Sequence, residues 1–158
     1  MTLRLRVSSP VLPALLAAGL ALAPLGARAQ TDKPAPAAAV HRTPRPADAE
    51  LYIISPKDGE TVSNPVTIRF GLKGMGVAPA GVDYPNTGHH HLIIDADLPP
   101  FDQPIPKDDK HLHFGGGQTE ATLDLSPGPH VLQLILGDRN HVPFDPPLVS
   151  DRVHITVR

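Results

Sequence analysis

The chain has no cysteine and no tryptophan among its 158 residues, and only four phenylalanines and two tyrosines. Without a thiol there can be no disulfide, no thiolate nucleophile and no lipid anchor on cysteine. Packing alone must hold the fold, and any transition metal must be bound by imidazole and carboxylate. Helical periodicity is missing too, because no long stretch repeats its apolar residues at helical spacing. Beyond the first thirty residues there is no apolar run of about 18 residues that would span a bilayer. The formal charge of −2 offers no basic surface for a nucleic-acid backbone, so nucleic acid is not an expected partner. Catalytic motifs are equally scarce. No serine sits in Gly-x-Ser-x-Gly, no carboxylate pair stands out among Asp83, Asp95, Asp97, Glu120 and Asp124, and Gly115-Gly116-Gly117 lacks the lysine of a phosphate loop. Those three glycines read as a turn.

Proline is abundant, with 20 residues, and it punctuates the chain into three parts. Residues 1–29 have the pattern of a secretory signal: Arg4 and Arg6, an apolar stretch from Val11 to Leu25, and the small-x-small end Ala27-Arg28-Ala29. Cleavage before Gln30 would remove Arg4, Arg6 and Arg28 but no acid, leaving an exported, soluble and more acidic chain. Residues 30–49 are rich in Ala and Pro, including Pro34, Pro36, Pro44 and Pro46, and read as a disordered spacer. Residues 50–158 are then a single domain, large enough for one core.

Within that domain, short runs alternate at period two between Pro- and Gly-rich breaks. Val66, Ile68, Phe70 and Leu72 share one face while Thr67 and Arg69 share the other, and Val153, Ile155 and Val157 alternate with Arg152, His154 and Thr156. Leu51 to Ile54, His89 to Asp95, Gln118 to Leu125 and Val131 to Leu136 supply four more runs, set off by turns such as Lys57-Asp58-Gly59 and Ser126-Pro127-Gly128-Pro129. About seven short strands in one domain predict an all-β, antiparallel, immunoglobulin-like sandwich. The stretch Leu123 to His130, followed by Leu132, Leu134 and Leu136, resembles the corner entering a late strand of such domains. His130 stands where a tyrosine usually does, which assigns it a structural role.

Nine histidines are the strongest chemical signal, and most of them cluster. Alternate residues of a strand point the same way about 6.5 Å apart, so His89 and His91 can present two imidazoles to one ion. His90 would face the other side with Leu92 and Ile94, as a core residue satisfied by backbone groups. By the same arithmetic His111 and His113 form a second pair, with Leu112 and Phe114 pointing inward. Two His-x-His pairs side by side would offer four nitrogens to Cu(II) or Zn(II). His141 lies in the stiff loop Gly137 to Pro147 as an auxiliary ligand, with Asp138 or Asp145 to orient its ring. His154 faces outward without an assigned role, and His41 falls in the spacer. The bland alternative for each pair is a solvated strand face or a loop hydrogen-bond network.

Three stretches, Gly88-His89-His90-His91-Leu92-Ile93-Ile94-Asp95, His113-Phe114-Gly115-Gly116-Gly117-Gln118-Thr119-Glu120 and Gly128-Pro129-His130-Val131-Leu132-Gln133-Leu134, resemble an uncharacterised bacterial family of exported proteins, DUF4399. The resemblance runs over nearly all of Leu51 to Arg158. It implies a periplasmic or otherwise exported setting and no particular activity. The Pro56-x-x-Gly59 opening is also similar to small periplasmic copper carriers of the CopC type. Those carriers use a histidine at the mature amino terminus, where this chain departs from them.

The leading expectation is a periplasmic protein that binds a divalent metal, copper before zinc, through His89, His91, His111, His113 and His141, for carriage, buffering or presentation. The competing expectations are an envelope-associated interaction module with structural histidines, and a metalloenzyme acting on oxygen species.

Overall fold

The computed structural model describes residues 41–158. The expected signal segment and the spacer up to residue 40 lie outside the described residues. Nine strands follow in order: β1 (Glu50–Ser55), β2 (Glu60–Val62), β3 (Val66–Lys73), β4 (Gly76–Val77), β5 (Thr87–Ile94), β6 (His111–His113), β7 (Glu120–Leu123), β8 (Gly128–Gly137) and β9 (Val153–Val157). Among the described residues there is no helix, and so none long and apolar enough to cross a membrane.

The strands form two sheets, one of three strands in the order β1-β3-β7 and one of six in the order β2-β9-β8-β5-β4, with β6 added along β5. Period-two alternation gives each sheet an apolar inner face. Leu51, Ile53, Val66, Ile68 and Phe70 from the smaller sheet meet Leu92, Ile94, Leu132, Leu134, Leu136, Val153, Ile155 and Val157 from the larger in one buried cluster. Each fully buried aliphatic side chain contributes about 1.5–3 kcal/mol relative to exposure, which is how a domain without disulfides holds together. The all-β sandwich read from the alternation is therefore the architecture observed. Most pairings are antiparallel, but the short strands β2 and β4 join their neighbours β9 and β5 in parallel.

One strand departs from simple alternation. From Gly88 to Ile94, β5 is buried on both faces. His90, Leu92 and Ile94 point into the sandwich. His89, His91 and Ile93 point to the outer face of the larger sheet, where Ile93, Ile105 and Ile135 form a second apolar cluster with Leu98, Phe101 and Val149 packed against it. The Pro-rich loop after β5, the loop after β8 and the chain before β1 together cover that face. The last of these differs from the spacer that composition predicts, because Arg42 to Ala49 is docked rather than free. Pro44 bridges Asp145, the Asp145 N–H donates to the Thr43 carbonyl at 2.8 Å, and Arg45 donates to the Pro146 carbonyl at 3.0 Å.

Candidate metal centre

Three separate segments bring four imidazoles together on the outer face of β5. His89 and His91 arrive as alternate residues of that strand. His113 arrives because β6 pairs antiparallel with β5 in a register that sets His113 opposite His91. His141 arrives from the loop after β8, with its backbone in the left-handed region at φ 66°. The ring centroids of His89 lie 4.9 Å from His91, 5.0 Å from His113 and 5.0 Å from His141, and those of His113 and His141 lie 4.7 Å apart. His91 sits 5.0 Å from His113 but 6.1 Å from His141, deeper in the group.

The nitrogens are placed for coordination. One ligand atom from each of His89, His113 and His141 lies within 4.8 Å of the other two, so this trio can hold a metal ion. The Nε2 atoms of His89 and His91 are 3.0 Å apart. With metal–nitrogen bonds of about 2.0–2.1 Å, adjacent ligand nitrogens stand roughly 2.8–3.4 Å apart, depending on geometry. The His89–His91 pair already has that spacing, and the trio reaches it by closing inward, with His113 and His141 only partly buried. Two glycines make the room. A Cβ on Gly137 would stand 3.0 Å from His91 Nε2, and one on Gly115 would overlap the His113 ring. The Gly115 turn expected from sequence is thus also a clearance for a ligand.

Burial sets the charge state. His89 and His91 are fully buried. Loss of solvation, then repulsion from the His141 and His113 rings, pushes the His89 imidazole down to about 4, with the Asp138 carboxylate pulling weakly the other way. His91 is pushed down to about 2, again by burial first and by His89 second. Burial followed by His141 also lowers His113. At neutral pH these rings are neutral, and the hydrogen bond that His89 and His91 share through their Nε2 atoms is the contact a cation would replace. The Nδ1 atoms of His89 and His91 and the Nε2 of His113 are buried without a hydrogen-bond partner. Leaving such a group unmet costs about 1–3 kcal/mol.

His111, read as a ligand from its spacing, is not in this group. It points to the same face as His113 but stands opposite Ile93, two residues further along β5. There its Nδ1 lies 2.8 Å and 3.0 Å from the two carboxylate oxygens of Asp108, which hold the ring in a local turn. Asp138 and Asp145 differ from expectation as well, since neither is bonded to an imidazole. Asp138 Oδ1 accepts the N–H groups of Asn140 at 2.8 Å and Val142 at 3.0 Å, the residues on either side of His141, and Asp145 pairs with Arg42 at 3.0 Å.

The remaining histidines have other surroundings. His90 faces the core as its alternation predicts, with its ring 5.2 Å from Phe70. Contrary to expectation, neither of its nitrogens reaches a partner with hydrogen-bond geometry, and burial pushes it down to about 4. His130 fits the structural role read from its corner. Its Nδ1 donates to Asp95 at 2.7 Å and its Nε2 to the Ser126 carbonyl at 2.8 Å. Two acceptors on one ring favour the doubly protonated form. Burial opposes it, but the Ser126 and Asp95 bonds outweigh burial and hold the group above its usual value. His154 pairs with Asp58 at the surface.

No curated protein and no solved structure matches this chain. One family profile does, over residues 68–158, which takes in β5, β6 and the His141 loop. By that match the chain belongs to the family described as Domain of unknown function (DUF4399).

Proposed function

We propose that this protein is a periplasmic metal-binding β-sandwich that carries, buffers or presents a divalent transition metal, copper before zinc. The ligands are His89, His113 and His141, with His91 as the fourth nitrogen. The observation that carries this reading is the convergence of four imidazoles from three segments, with ligand atoms of His89, His113 and His141 within 4.8 Å of one another and a buried His113 Nε2 that no protein group satisfies. Buried polar atoms in folded proteins are almost always paired, and a cation would pair this one. Histidines kept only for structure would point to different sides, as His90 and His130 do.

The donor set supports copper over zinc. It is all imidazole, without thiolate, and in the general affinity order for such ligands Cu(II) stands above Zn(II). Four neutral ligands leave the cation's charge unbalanced, and Asp138, only 3% exposed and close enough to act on His89, supplies a nearby carboxylate. A periplasmic address rests on the signal-like pattern of residues 1–29.

Titration of the metal-free protein with Cu(II) and Zn(II) at neutral pH tests the reading, alongside His89→Ala, His113→Ala and His111→Ala. The first two should lose at least tenfold in affinity, and His111→Ala should bind like the parent. Equal binding by His89→Ala and the parent rejects the site.

A further inference from the structure

The segment just before β1 is tied to the loop that carries His141 at more points than a passing chain requires. Thr43 Oγ1 donates to Asp138 Oδ2 at 2.7 Å, while the other oxygen of that carboxylate holds the backbone on both sides of His141. Arg42 donates to the carbonyls of Pro143 and Phe144 and pairs with Asp145. The Asp145 N–H returns a bond to the Thr43 carbonyl. From the opposite side, the Ile105 N–H donates to the His141 carbonyl at 2.8 Å.

His141 needs this support. A non-glycine residue in the left-handed region is uncommon and costs free energy, so it persists only where its surroundings hold it. His141 N–H donates to the Asp138 carbonyl at 2.9 Å, and Asp138 N–H donates to the Val142 carbonyl at 2.9 Å, closing a tight loop around the ligand. Asp138 is the pivot of that loop, and the Thr43 hydroxyl is the side-chain donor that steadies its second oxygen. A shift there moves the backbone on both sides of His141.

We propose that Arg42 and Thr43 form a latch whose closure places His141 on the metal, so that metal occupancy and docking of the amino-terminal strap are coupled. Thr43 and Arg42 are positioning residues, not ligands. The coupling is reciprocal by linkage: whatever the docked strap adds to metal affinity, the bound metal adds to docking of the strap. This inference rests on the metal-binding reading above.

The test uses Cu(II) on the full chain and on Thr43→Val, Thr43→Ser, Arg42→Gln and His141→Ala. Thr43→Val and Arg42→Gln should lose about tenfold in affinity, in the range for removing a group that orients a ligand. At saturating copper, their electron paramagnetic resonance spectra should move toward that of His141→Ala, while Thr43→Ser keeps the parent spectrum. General destabilisation would not change the spectrum of the loaded, folded protein. In the parent, copper should also slow hydrogen exchange at the Asp145 amide. If the parent binds no copper, the metal reading fails and the latch with it. If the parent binds and Thr43→Val matches it in affinity and spectrum, the latch alone is overturned.

Discussion

Acidification of the metal-free protein should destabilise it steeply, well before its carboxylates titrate. In the unfolded chain each histidine takes up a proton below about pH 6.5. In the fold, His89 and His90 resist protonation until about 4 and His91 until about 2, all because burial disfavours the charged ring. Protons then bind the unfolded state preferentially, so stability is full above the unfolded value and falls as pH drops toward the folded ones. A pH of about 5.0 lies roughly 1.5 units below the unfolded histidine value, which is about 2 kcal/mol for each ring still neutral in the fold and roughly 6 kcal/mol as a ceiling for three. Folded values anywhere below 5 are enough for a loss of this size. A loss of that size rivals the whole stability of a small domain, typically about 5–15 kcal/mol. Asp58, held below its usual 3.8 by the His154 amide and ring, and Asp108, held down by the His111 ring, titrate outside this window. His130 runs the other way and softens the loss. Urea unfolding in chelator-treated buffer at about pH 7.5 and about pH 5.0 measures the difference, and His90→Leu should remove close to a third of it. Equal unfolding free energies at the two pH values would mean that the buried rings do not resist protonation in the fold.

Two further outcomes follow from individual contacts. Gly115→Ala should displace the His113 ring, whose space the new methyl would enter, and lower copper affinity at least tenfold in isothermal titration while the far-ultraviolet circular dichroism stays that of the parent. His130→Asn should cost about 1.5–3 kcal/mol at about pH 6, the range for a hydrogen bond to a charged group. That cost should shrink as pH rises through the elevated folded value of His130, because a raised histidine stabilises most below its unfolded value. A cost that grows toward alkaline pH would contradict the doubly protonated corner.

Much of the fold is legible in the sequence because its long strands obey a local rule. In β3 and β9 alternate residues are buried and exposed without exception from Val66 to Phe70 and from Val153 to Val157, so period two marks them. The strands β2, β4 and β6 span two or three residues each, too few to show a period, and exist through their partners. In β5 the apolar run continues across both faces, which marks burial without saying what covers the outer one.

The site divides the same way. That His89 and His91 share a face, and that His90 does not, follows from strand geometry alone. Which of His111 and His113 joins them depends on register: pairing sets His113 opposite His91 and leaves His111 beside Ile93 within reach of Asp108. Arg42 and Thr43 carry no local signal, since they lie among alanines and prolines, and their contacts reach about a hundred residues down the chain. Composition and alternation therefore determined an all-β, thiol-free, histidine-rich domain. The tertiary structure decided which imidazoles meet, because convergence in space depends on strand register and loop docking, and neither is encoded by any short stretch of residues.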